Sequence, residues 1–267
     1  MTAKPMQGLR VVVTGGTAGI GRATGLAFAA LGAEVALTFN WGAHDEAALV
    51  AAYAELDAPP PILLEADASK DEHTEAALET LAEAGWEGVD VVVQNVAFAA
   101  LIHSMEDFDA RALEQSMRYS AWPLIAYPRA VHRRFGAWPR YVVAVSSQGS
   151  FSYHLNYDVA GAAKAVVETL VRYLGHRLAP HGTRVNAVRP RWVETRSFAK
   201  TTGPGFVDYV RQWPQPGQFV SPEEVAEVIV ALCSGWLDGM IGQVLDIDHG
   251  HAFSDNLMRL YSAQTKQ

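Results

Sequence analysis

The stretch "YDVAGAAK", residues 157–164, sets a phenol and an amine seven positions apart at the start of an apolar segment. Seven residues make almost two helical turns, so Tyr157 and Lys164 would share one stripe with Cα atoms about 10 Å apart. An unperturbed tyrosine titrates near pH ~10, and a neighbouring ammonium favours the phenolate, which would make the hydroxyl a proton donor near neutrality. The bland alternative is a buried tyrosine and a lysine whose stem runs along a helix. Tyr153, one turn earlier in what reads as a loop, is the reserve donor. Ser147 could offer its hydroxyl to a substrate oxygen, or cap a turn at a strand end.

A second constellation is "TGGTAGIG", residues 14–21, where the first expected strand meets the first expected helix. Gly15 permits a tight turn, Gly19 close backbone approach, and Gly21 close helix–strand packing, with Thr17 and Ile20 in the same loop. Backbone N–H groups at the helix start would then face a pyrophosphate. Glycines also mark ordinary turns, but strand, loop and helix here fall in the order that a dinucleotide needs.

An acidic residue ending the second strand would bond the ribose 2′-OH of NAD, and none stands there. The chain reads "TFNWGAH" (38–44), with Asn40 and His44 nearby and Arg22 at the facing helix start. No carboxylate repels a 2′-phosphate, so NADPH is the expected cofactor, with NADH possible.

Positioning these residues requires strands that alternate with helices. Short β-branched runs lie at 9–14, 34–39, 61–66, 90–95, 141–147, 184–188 and 242–247. Helical patterning fills 19–32, 45–56, 71–84, 107–135, 157–178 and 225–233. The pattern predicts α/β architecture, a Rossmann-type doubly wound parallel sheet of about seven strands with helices on both faces. Nearly continuous apolar strands agree with a sheet covered on both sides. No linker or repeat divides the chain, so residues 1–267 are expected to form one domain. The stretch 190–219 is rich in Pro, Gly and aromatics, including Pro204, Trp213, Pro214 and Pro216. It reads as a substrate lid, the alternative being a surface excursion over the core.

Composition narrows the partners. Hydrophobic residues make up 49% of the 267, which argues against disorder, and the net charge is −8 with no long basic run. Nucleic acid is therefore not an expected partner. The longest apolar runs are short and broken, so no membrane span or signal peptide is expected and a cytoplasmic location is. Cys233, the single cysteine, excludes an intramolecular disulfide and reads as core. His249 and His251 lack a surrounding ligand set, so no metal site is expected. The basic "VHRRF" (131–135) reads as a solvated helix end.

From "TGGTAGIG" to "GQVLDIDHG" the chain resembles the short-chain dehydrogenase/reductase family. The landmarks appear in order: Asp67 in "EADAS", "QNVA" (94–97), "VSS" (145–147), the Tyr–Lys pair, "RVNAV" (184–188) and "DHG" (248–250). The resemblance implies that Asp67, followed by Ala68, meets the adenine, that Asn95 lies beside the cofactor, and that Ser147 is the catalytic serine. It also implies that Lys164 holds the cofactor ribose, and that Val193 and Thr195, after Pro190, hold the carboxamide and a phosphate. The usual tyrosine four before the lysine is Ala160 here, whereas Tyr157, six residues and then Lys164 resembles the enoyl-acyl-carrier-protein reductases of the family.

Several positions depart from the family pattern. Ser120 stands where many members carry a catalytic Asn, Gln94–Ala97 replaces Asn-Asn-Ala-Gly, and Pro190–Arg191–Trp192 replaces the usual Pro-Gly. The resemblance implies hydride transfer from NAD(P)H to a C=C conjugated to a carbonyl, on a small-molecule or carrier-bound acyl substrate. The alternatives are a ketoreductase acting on a specialised-metabolite carbonyl and a catalytically silent nucleotide-binding regulator. It further implies a homo-oligomer, tetramer or dimer.

Overall fold

Unbroken valine runs dictate the sheet: Val11, Val12, Val13, Val91, Val92 and Val93 are all fully buried. β-Branched side chains suit extended backbone, and burial of every residue in a run requires cover on both faces. The computed structural model describes residues 4–40, 45–203, 205–212 and 219–265. Its strands are β1 (Arg10–Val13), β2 (Glu34–Phe39), β3 (Ile62–Glu65), β4 (Val91–Gln94), β5 (Tyr141–Val145), β6 (Arg184–Pro190) and β7 (Val244–Ile247). They form one seven-stranded sheet, all pairs parallel, in the order β3-β2-β1-β4-β5-β6-β7.

The helices are α1 (Gly19–Ala30), α2 (Glu46–Glu55), α3 (Asp71–Glu83), α4 (Ala110–Ser120), α5 (Pro123–Phe135), α6 (Asp158–Leu178), α7 (Arg196–Thr202), α8 (Phe206–Arg211), α9 (Pro222–Leu232) and α10 (Asn256–Thr265). Alternation along each strand splits the core in two. Val12, Val92, Val142 and Val185 join Leu78 of α3, Tyr127 of α5 and Val167 of α6. Val11, Val13, Leu37 and Val143 join Phe28 of α1, Tyr53 of α2 and Ile229 of α9 on the other face.

Two stretches of the sequence pattern fold differently, and α10 lies beyond any helix it predicted. The helical stretch 107–135 is two helices, because Pro123 has no N–H for a continuing turn and instead opens α5 at its first position. The stretch 190–219 contains α7 and α8, held by a Val193–Val220 bridge and by ring contacts of Trp192 and Phe198 with Phe206 and Phe219. Pro204, Trp213, Pro214 and Pro216 of that stretch, and His44, lie outside the described residues. Among the described residues no helix is long and apolar enough to cross a membrane.

Because β1 lies between β2 and β4, the chain reverses its winding there, and the loops at the C-terminal ends of β1 and β4 part to leave a crevice.

Candidate active site

The crevice is floored by the glycine loop. Gly15 (φ +61°) and Gly19 (φ +51°) occupy the left-handed region that a side chain disfavours. A β-carbon on Gly21 would meet the Gly15 carbonyl oxygen and lie 2.7 Å from Asn95 Nδ2. Asn95, just past β4, donates from Nδ2 to the carbonyls of Thr14 (3.1 Å) and Gly15 (3.0 Å), while the Thr14 hydroxyl accepts from the Asn95 and Val96 N–H groups. The sequence-predicted Asn95 therefore pins the loop rather than standing apart from it.

Helix α1 begins after Ala18, which supplies no side-chain cap, so its first N–H groups are left to another acceptor. Thr195 closes over this turn: a β-carbon on Gly19 would lie 3.1 Å from Thr195 Cγ2. Its hydroxyl caps α7 by accepting the Phe198 N–H at 3.1 Å. Val193 is buried in the bridge to Val220, and Pro190 ends β6. Asn40 follows β2, Asp67 and Ala68 follow β3, and Thr17 in the loop and Ile20 in the first turn of α1 are half-buried. Asp67 uses Oδ1 to accept from the Ser69 N–H (3.0 Å) and hydroxyl (2.7 Å), and Oδ2 from the Tyr119 hydroxyl (3.2 Å). A cradle that β-carbons would fill, at an uncapped helix start, fits a dinucleotide pyrophosphate.

The proton-donating pair is built differently from the simple stripe. Asn156 takes φ +60° and Tyr157 has φ −103°, ψ 17°, so Tyr157 precedes α6 instead of lying in it. Its ring rests on Gly149, where a β-carbon would lie 2.5 Å from Cδ1. Gly161 in turn lets α6 approach that turn, since its β-carbon would lie 2.5 Å from the Gly149 carbonyl oxygen. Tyr153 is 80% exposed.

Burial raises the Tyr157 phenol above the ordinary tyrosine value, and a hydrogen bond with the Ser147 hydroxyl offsets part of this. That corrects the expectation that Lys164 lowers it: the ammonium is turned elsewhere. Lys164, 4% exposed, donates from Nζ to the Val145 carbonyl at 2.6 Å. Burial pulls its amine down to about 8, against the opposing charge of Glu168. Glu168 is itself buried and accepts from Ser146 (2.7 Å), Ser150 (2.6 Å) and Arg189 (3.2 Å).

Ser147, at the end of β5, accepts from the Gly149 N–H at 3.3 Å and so shapes the turn on which Tyr157 sits. The next residue, Gln148, donates to Asp248 at 2.8 Å and ties the turn to the segment after β7. Ser120 does not open into a relay: its hydroxyl accepts from the Phe98 N–H and its carbonyl from Gln94 Nε2. His249 pairs with Glu224 and His251 contacts Arg259, so the two histidines serve different partners. Burial raises the Cys233 thiol. The basic end of α5 pairs with α3, through Arg133–Glu75 and Arg134–Glu79.

Sequence reasoning missed Gly149, Gly161, Gln148 and Glu168. Only Glu168 left a signal, since it follows Lys164 by one turn on the same helix face.

A doubly wound parallel sheet with this cradle and a Tyr–Lys–Ser group beside it defines a nicotinamide-dinucleotide oxidoreductase fold. The family model described as Enoyl-(Acyl carrier protein) reductase matches residues 15–252. The chain belongs to the short-chain dehydrogenase/reductase family of NAD(P)-dependent enzymes. It is similar to the NADH-dependent enoyl-acyl-carrier-protein reductase of Aquifex aeolicus, 28% identical over 71% of this chain and 72% of that protein. It is also similar to cis-4-hydroxycyclohexanecarboxylate dehydrogenase of Sinomonas cyclohexanicum, 32% identical over 90% and 95% of the two chains. A short-chain dehydrogenase of Burkholderia cenocepacia in complex with NADP superposes with a TM-score of 0.81 at 26% identity, covering 94% and 100%.

Proposed function

We propose that the protein reduces a C=C conjugated to a thioester or ketone, using NADPH. The observation that carries this reading is the placement of Tyr157 before α6, seven residues ahead of Lys164, on a turn that glycines open for its ring. The bound cofactor supplies hydride to the β-carbon of the substrate. Tyr157, kept protonated by burial, hydrogen-bonds or protonates the enolate oxygen as charge builds there. Ser147 assists at the same oxygen. Lys164, charged at neutral pH, bonds the ribose and adds its field to the site. Asn95 keeps the glycine loop shaped for the pyrophosphate. The uncharged Asn40 at the end of β2 supports NADPH, while NADH use by the Aquifex relative supports the other nicotinamide.

The second reading is reduction of a carbonyl carbon, with Tyr157 protonating the alkoxide. It is favoured by likeness along nine-tenths of the chain to the Sinomonas enzyme, a dehydrogenase of a hydroxy acid. In both readings the segment that carries α7 and α8 acts as the lid, and the working enzyme is a homo-oligomer.

The deciding experiment follows NADPH and NADH oxidation with an enoyl thioester, an enone and a ketone panel, beside Tyr157→Phe. Enoyl or enone turnover that collapses in the variant supports the first reading. Ketone turnover alone, equally dependent on Tyr157, replaces it by the second. Cofactor binding with no turnover of any substrate replaces both by a nucleotide-binding regulator.

A further inference from the structure

Two arginines flank the segment that follows β7, and among the described residues neither has a carboxylate in salt-bridge reach. Arg191 follows β6 and donates its backbone N–H to the Ile247 carbonyl at 3.0 Å, opposite the turn that starts at Asp248. Its guanidinium carbon lies 4.1 Å from the Trp192 ring centre, and its Nε is shut from solvent with no hydrogen-bond partner among the described residues. Arg259, on α10, is close enough for its charge to oppose that of Arg191. One of its terminal nitrogens lies 3.1 Å from His251 Nε2, and the other, Nη1, is buried without a partner among the described residues.

The carboxylate whose charge reaches Arg191 is Asp248, and its oxygens are engaged. Oδ1 accepts the Gly250 N–H at 2.9 Å, and Oδ2 accepts Gln148 Nε2 at 2.8 Å and the Ala252 N–H at 2.7 Å. Two half-buried guanidinium groups set against one carboxylate leave a positive charge over, and a donor nitrogen shut from solvent without a partner is costly to keep. The turn that carries Asp248 is tied through Gln148 to the turn on which the Tyr157 ring rests. Arg191 also opposes protonation of His154, whose ring is 6.1 Å from that of Tyr157. Guanidinium donors match the two oxygens of a carboxylate in geometry as well as charge.

We propose that Arg191 and Arg259 form a subsite for a carboxylate that the substrate carries a few bonds from its reducible carbon. The natural substrate is then a small oxo or enone acid rather than a neutral acyl chain. The proposal rests on the reading of Tyr157 as the proton donor, because that fixes where the reducible carbon lies.

The test is calorimetric binding to the protein saturated with NADP, with cyclohexanecarboxylate, cyclohexanecarboxamide and inorganic phosphate as probes. The acid is expected to bind at least about tenfold more tightly than the amide. That preference is expected to fall within about twofold in both Arg191→Gln and Arg259→Gln, each checked for an unchanged thermal midpoint, and to persist in part in Arg191→Lys. Absence of acid binding, equal binding of acid and amide, or a preference that survives both Gln variants overturns the subsite. Phosphate binding more tightly than the acid overturns its assignment to a carboxylate. None of these readings needs turnover. Acid binding as expected with no substrate reduced would sink the reductase reading alone, and reduction of neutral enones with no acid preference would sink the subsite alone.

Discussion

The Tyr157 ring lies against Gly149 so closely that a β-carbon at position 149 would stand 2.5 Å from Cδ1 and 2.7 Å from Cε1. Gly149→Ala must therefore displace the phenol from Ser147. Since a displacement of about 1 Å can cost about a hundredfold in rate, kcat is expected to fall by about that factor. Cofactor affinity, measured by fluorescence titration, should stay near the wild-type value. An alanine variant with full kcat would show that the turn does not position the donor.

Removal of the phenol itself should be more severe. Tyr157→Phe is expected to lower kcat by about a hundredfold to ten-thousandfold, the usual worth of a positioned proton donor. Tyr153→Phe, at an 80% exposed side chain, should leave kcat unchanged. Steady-state kinetics of the two variants decides between the tyrosines.

The pH dependence should follow Lys164. Its amine titrates at about 8, so kcat/KM for the reduced cofactor is expected to decline as pH rises through that value and the charge is lost. Glu168 opposes the depression, so Glu168→Gln should lower the lysine further and move the alkaline limb to lower pH. A limb that does not move would show that Glu168 only packs.

The cradle is tested at Gly21. Its β-carbon would press on backbone atoms of Gly15 and Gly16, which cannot turn aside, and lie 2.7 Å from Asn95 Nδ2, whose bonds to the loop would break if it moved. Gly21→Ala should weaken cofactor binding by at least about tenfold and destabilise the fold by about 1–3 kcal/mol, by the cost of overpacking. Titration calorimetry and thermal melting measure the two effects.

Cofactor choice is expected to respond to Asn40. Asn40→Asp places a carboxylate where a 2′-phosphate would be repelled and a 2′-OH bonded. The ratio of kcat/KM for NADPH over NADH should fall by at least about tenfold.

The sheet, its flanking helices and the glycine loop were legible because their signals are local. Valine runs, helical spacing and glycines at a strand–helix junction each lie within a few residues. The break at Ala121–Trp122 was missed: Pro123 marks it, yet the apolar pattern runs straight through. Tyr157 and Lys164 were found by their spacing, but their protonation was not. The expected downward pull on the phenol was replaced by an upward push, because burial on the 147–149 turn outweighs the hydrogen bond with Ser147, and Lys164 turns to Val145.

By itself, then, the sequence determined a doubly wound sheet, a glycine loop at its first strand–helix junction and the spacing of Tyr157 from Lys164, since strand and helix periods and glycine's backbone freedom belong to the local chain. Only the tertiary structure decided that Tyr157 stands outside α6, that Gly149 receives its ring, that Glu168 answers Lys164, and that Arg191 and Arg259 flank the segment after β7. Burial and the field at a site are sums over groups brought together from remote segments, and no spacing along the chain encodes them.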